Sequence, residues 1–213
     1  MTSWNTVIFD LDGTLLDTLA DLRTAVNRAL AEFGYPERSM EDIRLAVGNG
    51  TRHLLEESVP DGTPEERLLE VIEAYKRHYA VCQFDTTAPY GGIPELLAAL
   101  AERGVKTALV SNKIDFAVQN LNDKFFHLPV AVGDRPEFAR KPAPDSVLFA
   151  MKELGADPET TVYVGDSEVD LETAKNAGIA CISALWGFRT REELDAAGAA
   201  VYADTPLALL QSL

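Results

Sequence analysis

The sequence has 213 residues, of which 46% are hydrophobic and 25% are charged. These values are ordinary for a globular chain that is long enough to bury a core, so a disordered protein is excluded. The formal net charge of −15 disfavours nucleic acids and anionic membranes as partners, because both are attracted by basic surfaces. No stretch is apolar and long enough to span a bilayer, and no secretory signal is evident, so we expect a cytoplasmic protein.

Short apolar runs typical of β-strands recur along the chain and alternate with helical patterns in its later part. The predicted strands are Thr6–Phe9, Val105–Val110, Pro129–Val132, Thr161–Val164 and Ala180–Ala184. Helical patterns such as IPELLAALAERG and LETAKNAG separate the later strands, and each ends at a glycine suited to a C-cap. We therefore predict an α/β fold with a doubly wound parallel sheet covered by helices on both faces.

One interval breaks this alternation. Between residues 17 and 85 the chain contains helical patterns, among them TLADLRTAVNRALAEFG and EERLLEVIEAYKRHYAV, with no convincing strand between them. The simplest interpretation is a small helical domain inserted after the first strand. We predict an α/β core domain formed by residues 1–16 and 86–213, and a helical domain formed by residues 17–85.

Polar side chains that can do chemistry follow several of the predicted strands. In open parallel sheets, ligands bind beyond the carboxyl ends of the strands, so these side chains are expected to converge at one edge of the sheet. The set comprises Asp10, Asp12, Gly13, Thr14, Ser111, Lys141, Asp166 and Asp170. One edge of the sheet would then collect four acids, a lysine and hydroxyl groups.

Converging carboxylates of this kind call for a hard divalent cation with oxygen ligands, which fits Mg²⁺ best. Zinc is disfavoured because the set contains neither histidine nor cysteine. A cation beside a lysine, a hydroxyl group and helix N-termini forms a clamp for phosphate. Within such a clamp, Asp10 could attack phosphorus and form an aspartyl phosphate, and Asp12 could transfer protons for the leaving group and for water.

At these positions the sequence resembles the phosphatase branch of the haloacid dehalogenase superfamily. The first signature, DxDGT, is met by residues 10–14, and the closing acid signature GDSxxD by residues 165–170. Ser111 matches the hydroxyl residue of the second motif, and Lys141 the lysine of the third. The four motifs occur in the family's order over the whole chain. The resemblance implies a Rossmann-like core with a helical cap inserted after the first strand.

The resemblance also implies a role for each matched position. Asp10 would be the nucleophile and a metal ligand, and Asp12 the general acid/base that gives the metal its main-chain carbonyl. Asp166 would complete the metal site, and Asp170 would orient Lys141 or a metal-bound water. The phosphoryl group would be held by Ser111, Asn112 and Lys141, with Gly13 and Thr14 in support. An acid at position 12 also argues against the dehalogenase branch, which lacks one there.

Weaker signals, the stretches VGNG, SNK and WGF, are similar to phosphoglycolate phosphatases and their near relatives. The helical interval contains RLAVGNGTRHLL, a glycine-rich turn ahead of a short helix. Its polar residues are expected to contact the substrate when the cap closes. They are Arg44, Asn49, Thr51 and Arg52.

Other functions remain open from the sequence. The leading hypothesis is an Mg²⁺-dependent phosphomonoesterase for a small organic phosphate, with 2-phosphoglycolate the best single guess. A phosphosugar mutase like β-phosphoglucomutase would share both core and cap. A receiver-like signalling domain is a remote alternative, because its acid pair lies on a different strand from the phosphorylated aspartate. Either a monomer or a homodimer is compatible with the sequence.

Three further side chains near the motifs receive ordinary interpretations. Lys113 and Arg189 are predicted to be charges on the surface, and Trp186 is predicted to serve packing.

Overall fold

A computed structural model of the protein describes residues 4–211. Its main sheet has six strands in the order β5-β4-β1-β6-β7-β8, and every neighbouring pair is parallel. The strands are β1 (Thr6–Phe9), β4 (Lys106–Ile114), β5 (Val130–Asp134), β6 (Thr161–Gly165), β7 (Ala180–Ala184) and β8 (Tyr202–Ala203). The predicted α/β fold with a parallel sheet is confirmed.

Strand β1 lies in the middle of the sheet because the chain winds outward from it in both directions. Its four residues are completely buried and pair with β4 on one side and β6 on the other, with Phe9 opposite Leu109 and Val164. The order of the strands reverses at β1, and ligands of such sheets bind at this switch point, beyond the carboxyl ends of the strands. The residues that follow Phe9 therefore occupy the position where chemistry is expected.

Six helices belong to the same compact unit as the sheet. They are α5 (Ile93–Glu102), α6 (Asp115–Phe125), α7 (Asp145–Leu154), α8 (Glu168–Ala177), α9 (Arg191–Ala196) and α10 (Pro206–Leu209), with one 3₁₀ turn at Pro158–Thr160. Helix α5 packs on β4, α6 and α7 pack on β4 and β5, and α8 packs on β6 and β7. Apolar side chains of the central strands, including Ile8, pack against α7 and α8 in a buried cluster. This burial explains why the strands are apolar on both faces.

Strand β4 runs further than the sequence predicts. It was expected to end at Val110, with Ser111–Lys113 following it, but it continues to Ile114. Val110 pairs with Val132 and Ile114 with Asp134, so the intervening residues of β4 bulge out of register with β5. The prediction that these residues lie after the strand is wrong, because a bulge interrupts the apolar pattern without ending the pairing.

A second compact unit spans Asp17–Ala88, and the remainder, Met1–Leu16 and Pro89–Leu213, forms the first. The chain passes between the units through β2 (Leu16–Asp17) and β3 (Ala88–Pro89), two short strands that pair with each other. The helices of the second unit are α1 (Leu19–Glu32), α2 (Met40–Ala46), α3 (Gly50–Glu56) and α4 (Glu65–Cys82). Helices α1 and α4 form its largest packing interface. Within residues 4–211, none of the helices has the length and apolar character needed to cross a membrane.

A buried carboxylate joins the two ends of the helical unit. Asp21, in the first turn of α1, accepts hydrogen bonds from the backbone N–H and hydroxyl groups of both Thr86 and Thr87, at 2.6–3.1 Å. Burial alone would raise the pKa of Asp21, but these hydrogen bonds outweigh it and lower the pKa below its usual value. The start of α1 is thus fixed to the segment that follows α4.

Candidate active site

The loop after β1 is folded tightly back on itself. The carbonyl of Leu11 accepts hydrogen bonds from the N–H groups of Thr14, Leu15 and Leu16, at 3.0–3.2 Å. Gly13 adopts a φ of 85°, and a Cβ there would lie 2.3 Å from the Asp166 carboxylate. Glycine is required at this position for both reasons, the left-handed backbone and the close approach. The turn thereby brings the loop that carries Asp10 and Asp12 against Asp166, which follows β6.

Lys141 lies at the centre of the site. Its ammonium group donates to Asp10 Oδ1 at 2.9 Å, Asp170 Oδ1 at 2.7 Å and the Tyr163 hydroxyl at 2.9 Å. The side chain is only 2% exposed, so the two carboxylates compensate the cost of burying its charge. The Asn112 side chain bonds the backbone N–H and carbonyl of Lys141, at 2.8 and 2.9 Å. Asn112, predicted to bind phosphate, therefore uses its amide to hold the Lys141 backbone.

Asp170 serves two neighbours at once. Besides accepting from Lys141, it accepts from the Ser167 backbone and hydroxyl through Oδ2, at 3.1 and 2.7 Å, which forms the capping box of α8.

Tyr163 was predicted from the sequence only as part of an apolar strand. In the structure its hydroxyl group accepts a hydrogen bond from Lys141 and donates one to the Val110 carbonyl, both at 2.9 Å. An aromatic residue in a buried strand gives no sign of such a contact.

Three buried carboxylates converge at this edge of the sheet. One oxygen each of Asp10, Asp166 and Asp170 lies within 4.8 Å of the others. Burial raises the pKa of Asp10 to about 7, although the positive charge of Lys141 acts in the opposite direction. Burial and the neighbouring carboxylates together raise the pKa of Asp166 to about 8. A buried set of oxygen donors that is short of positive charge fits a hard cation such as Mg²⁺.

Asp12 stands apart from this group. Its carboxylate accepts from the Lys113 ammonium at 2.8 and 3.1 Å. The sequence predicted a metal set of Asp10, Asp12 and Asp166, whereas the converging carboxylates are Asp10, Asp166 and Asp170. An Asp12 side chain engaged with lysine is compatible with the expected use of its main-chain carbonyl.

The prediction that Lys113 and Arg189 are surface charges is wrong. They are 6% and 7% exposed, and Arg189 donates to the Glu168 carboxylate through Nε at 3.0 Å. Lys113 lies in the bulge of β4, which turns it toward the neighbouring strand β1 and the loop after it. The bulge left no periodic pattern from which this burial could be read.

The loop after β7 encloses Asp166. The Phe188 N–H donates to Asp166 Oδ2 at 2.7 Å, and the Thr14 hydroxyl donates to Oδ1 at 2.9 Å. Trp186 donates through Nε1 to the Thr14 carbonyl at 2.9 Å, so it does more than pack. Both oxygens of Asp166 are therefore held by hydrogen bonds, and Thr14 is itself held by Trp186, which fixes the carboxylate for a ligand.

Replacing Gly187 by alanine tests this enclosure. A Cβ at Gly187 would lie 2.3 Å from the Asp166 Cβ and 2.4 Å from the Gly13 carbonyl oxygen, so one of them must move. We expect Gly187→Ala to weaken Mg²⁺ binding about 10- to 100-fold, the usual effect of disturbing neighbours of a ligand. Isothermal titration calorimetry with MgCl₂ measures this change directly.

Gly91→Ala is the matched control, because nothing lies within 4 Å of a Cβ at Gly91. It should bind Mg²⁺ like the wild type. Unchanged affinity in Gly187→Ala would contradict the importance of the enclosure.

The polar residues predicted to contact substrate from the helical interval lie within the second unit. Arg44 pairs with Glu41 at 2.8 Å. Arg52 pairs with Glu56 and Glu65, both at 2.7 Å. Asn49 occupies the N-cap position of α3, and Thr51 lies in its first turn. Both arginines are thus engaged with carboxylates of their own unit.

The chain is similar in sequence and in structure to known proteins. The haloacid dehalogenase-like hydrolase family matches residues 7–184. A phosphoglycolate phosphatase from Aquifex aeolicus is 36% identical over 188 residues, 85% of this chain and 85% of its own length. One from Pseudomonas putida is 34% identical over 218 residues, 96% of this chain and 78% of its own. The crystal structure of a Lactobacillus delbrueckii protein superposes with a TM-score of 0.93 at 34% identity, covering 99% of this chain and 98% of that one.

The chain therefore belongs to the haloacid dehalogenase-like hydrolases. Within that family it is a phosphatase, an enzyme that hydrolyses phosphate monoesters, and it is similar to phosphoglycolate phosphatases. The predicted family and enzyme class are confirmed.

Proposed function

We propose that this phosphatase is Mg²⁺-dependent and works through an aspartyl-phosphate intermediate on Asp10. The observation that carries the proposal is the buried arrangement of Asp10, Lys141 and Asp166 beyond the end of β1. A carboxylate, a fixed ammonium group and a second carboxylate for a cation are what nucleophilic phosphoryl transfer requires.

Asp10 is the nucleophile. A carboxylate oxygen of Asp10 forms a bond to phosphorus while the bond from phosphorus to the ester oxygen breaks. Lys141 holds Asp10 Oδ1 and lies where it can offset negative charge on the transferring group. Asp170 and Tyr163 keep the ammonium group in place. Ser111, at the bulge of β4, is the further candidate for holding the phosphoryl group.

Asp12 transfers the protons. In the first step its carboxyl group gives a proton to the ester oxygen that leaves. In the second step it takes a proton from the water that attacks phosphorus, and the bond to Asp10 breaks to release inorganic phosphate. The same group thus acts first as acid and then as base, and it ends each cycle in its starting form.

Asp10 and Asp166 are the side chains that would hold Mg²⁺, together with the main-chain carbonyl of Asp12. When bound, the cation offsets the charge of the carboxylates and of the phosphate, so that an anion can approach an anionic nucleophile. Thr14, Phe188 and Gly187 keep the Asp166 carboxylate in place for it.

We propose 2-phosphoglycolate as the substrate, a small phosphorylated metabolite handled in the cytoplasm. The similarity to the two bacterial phosphoglycolate phosphatases over most of the chain supports this choice. The net charge of −15 supports the absence of nucleic-acid substrates.

A panel of phosphorylated metabolites tests the proposal. With Mg²⁺ present, we expect phosphate release from 2-phosphoglycolate with a kcat/KM above that of sugar monophosphates and of other small phosphate esters. Phosphate release is measured colorimetrically. Conversion of a sugar monophosphate into an isomer without phosphate release would identify a mutase instead. Equal, low rates on all esters would contradict the proposed substrate.

A further inference from the structure

Lys113 is a buried cation that the proposed mechanism does not use. Its side chain is 4% exposed, and its ammonium group contacts both oxygens of Asp12, at 2.8 and 3.1 Å. The two residues are 101 positions apart in the chain: Asp12 lies in the loop after β1, and Lys113 lies in β4. The contact therefore depends on the pairing of β1 with β4 and on the bulge in which Lys113 lies.

Stability is a poor explanation for this ion pair. Burying a lysine and a carboxylate together costs desolvation that their attraction often fails to recover, and apolar replacements are frequently as stable. The contact does have a geometric effect. The terminal torsion of an aspartate is soft, and a cation that contacts both oxygens selects one orientation of the carboxylate.

The two acids of the DxD signature thus each have a buried lysine. Lys141 contacts Asp10 and is shared with Asp170 and Tyr163. Lys113 contacts Asp12, which the converging group of carboxylates does not include. Different lysines therefore contact the two acids, which are only two residues apart in the chain.

We propose that Lys113 is a positioning residue for Asp12: in the protonated acid, one oxygen accepts from the Lys113 ammonium group while the other carries the proton that passes to the leaving ester oxygen. The proposal rests on the proposed function in assigning that transfer to Asp12. The contact with Lys113 holds the Asp12 side chain in one orientation, while Lys141 is engaged by Asp10 and Asp170.

The dependence on the leaving group distinguishes this role from others. Departure of p-nitrophenolate needs no proton, whereas departure of an alkoxide does. We expect Lys113→Met to lower kcat/KM about 10- to 100-fold for an alkyl phosphate and less than about threefold for p-nitrophenyl phosphate. The ratio kcat/KM includes steps only up to release of the leaving group, so hydrolysis of the aspartyl phosphate does not enter it.

A double-mutant cycle shows whether Lys113 acts through Asp12. Asp12→Asn should give the same selective loss on the alkyl phosphate. In the Asp12→Asn background, Lys113→Met should not lower kcat/KM any further, because the carboxyl group that Lys113 positions is gone. Lys113→Arg, which can also contact both carboxylate oxygens, should recover most of the activity on the alkyl phosphate.

Lys152→Met is the control, since Lys152 is an exposed lysine on α7 whose loss changes the net charge equally. Circular dichroism and thermal unfolding of each variant report on the fold, and Lys113→Arg remains informative if Lys113→Met does not fold. The proposal would be overturned if Lys113→Met lowered kcat/KM equally for both esters. It would also be overturned if Lys113→Met had its full effect on kcat/KM in the Asp12→Asn background. With 2-phosphoglycolate as the alkyl phosphate, a wild-type protein inactive on both esters would instead refute the proposed function, which is a separate result.

Discussion

Asp10→Asn should reduce turnover by roughly 10⁴-fold or more, the scale on which nucleophile substitutions act. The amide oxygen of asparagine is a poor nucleophile and cannot form a stable acyl phosphate, although the side chain has nearly the same shape. Lys141 keeps its contacts with Asp170 and Tyr163, so we expect the fold to persist. Steady-state phosphate release on 2-phosphoglycolate measures the loss.

Chemical trapping adds a direct test of the intermediate. Acid quenching of the wild type during turnover of a ³²P-labelled ester should leave label on the protein that hydroxylamine removes, as expected for an acyl phosphate. Asp10→Asn should carry none. Asp204→Asn, at an exposed aspartate of the same unit, is the matched control and should be labelled like the wild type. Phosphatase activity retained in Asp10→Asn would refute the assignment of the nucleophile.

The strands of the core could be predicted because parallel strands covered on both faces leave a strong apolar signal. Strands β1 and β7 were predicted with the bounds that the structure has, Thr6–Phe9 and Ala180–Ala184. Strand β8, at the edge of the sheet, was missed because its two residues give no such run. The converging carboxylates Asp10, Asp166 and Asp170 were singled out because each follows a predicted strand at its carboxyl end, where ligands of parallel sheets bind.

Contacts between distant segments could not be predicted in the same way. Lys113 appears in the sequence as the third residue of a polar triplet, and only the bulge of β4 and the pairing with β1 bring it to Asp12. The sequence likewise gives no sign that the Asp166 side chain packs directly against Gly187. A single sequence shows which residues are present, but it does not show which residues distant in the chain contact each other in the folded protein.

Removal of divalent cations should abolish phosphatase activity reversibly. Asp10 and Asp166 are buried beside Asp170, and a phosphate ester adds further negative charge to the same edge of the sheet. Lys141 is already shared by two of the carboxylates, so it cannot offset this charge alone. We expect EDTA to lower phosphate release to background and excess Mg²⁺ to restore it. Ca²⁺ should restore little activity, because its looser coordination suits in-line transfer poorly.

Binding of the cation can be separated from its effect on turnover. A ligand that binds only the folded state raises the midpoint of thermal unfolding, so Mg²⁺ should stabilise the wild type in a concentration-dependent way. Asp166→Asn removes a carboxylate from the converging group and should lose most of this stabilisation. Asp204→Asn should keep it, because its side chain is 82% exposed. Full activity in EDTA, with no effect of Mg²⁺ on unfolding, would mean that Lys141 and the buried carboxylates carry out phosphoryl transfer without a cation.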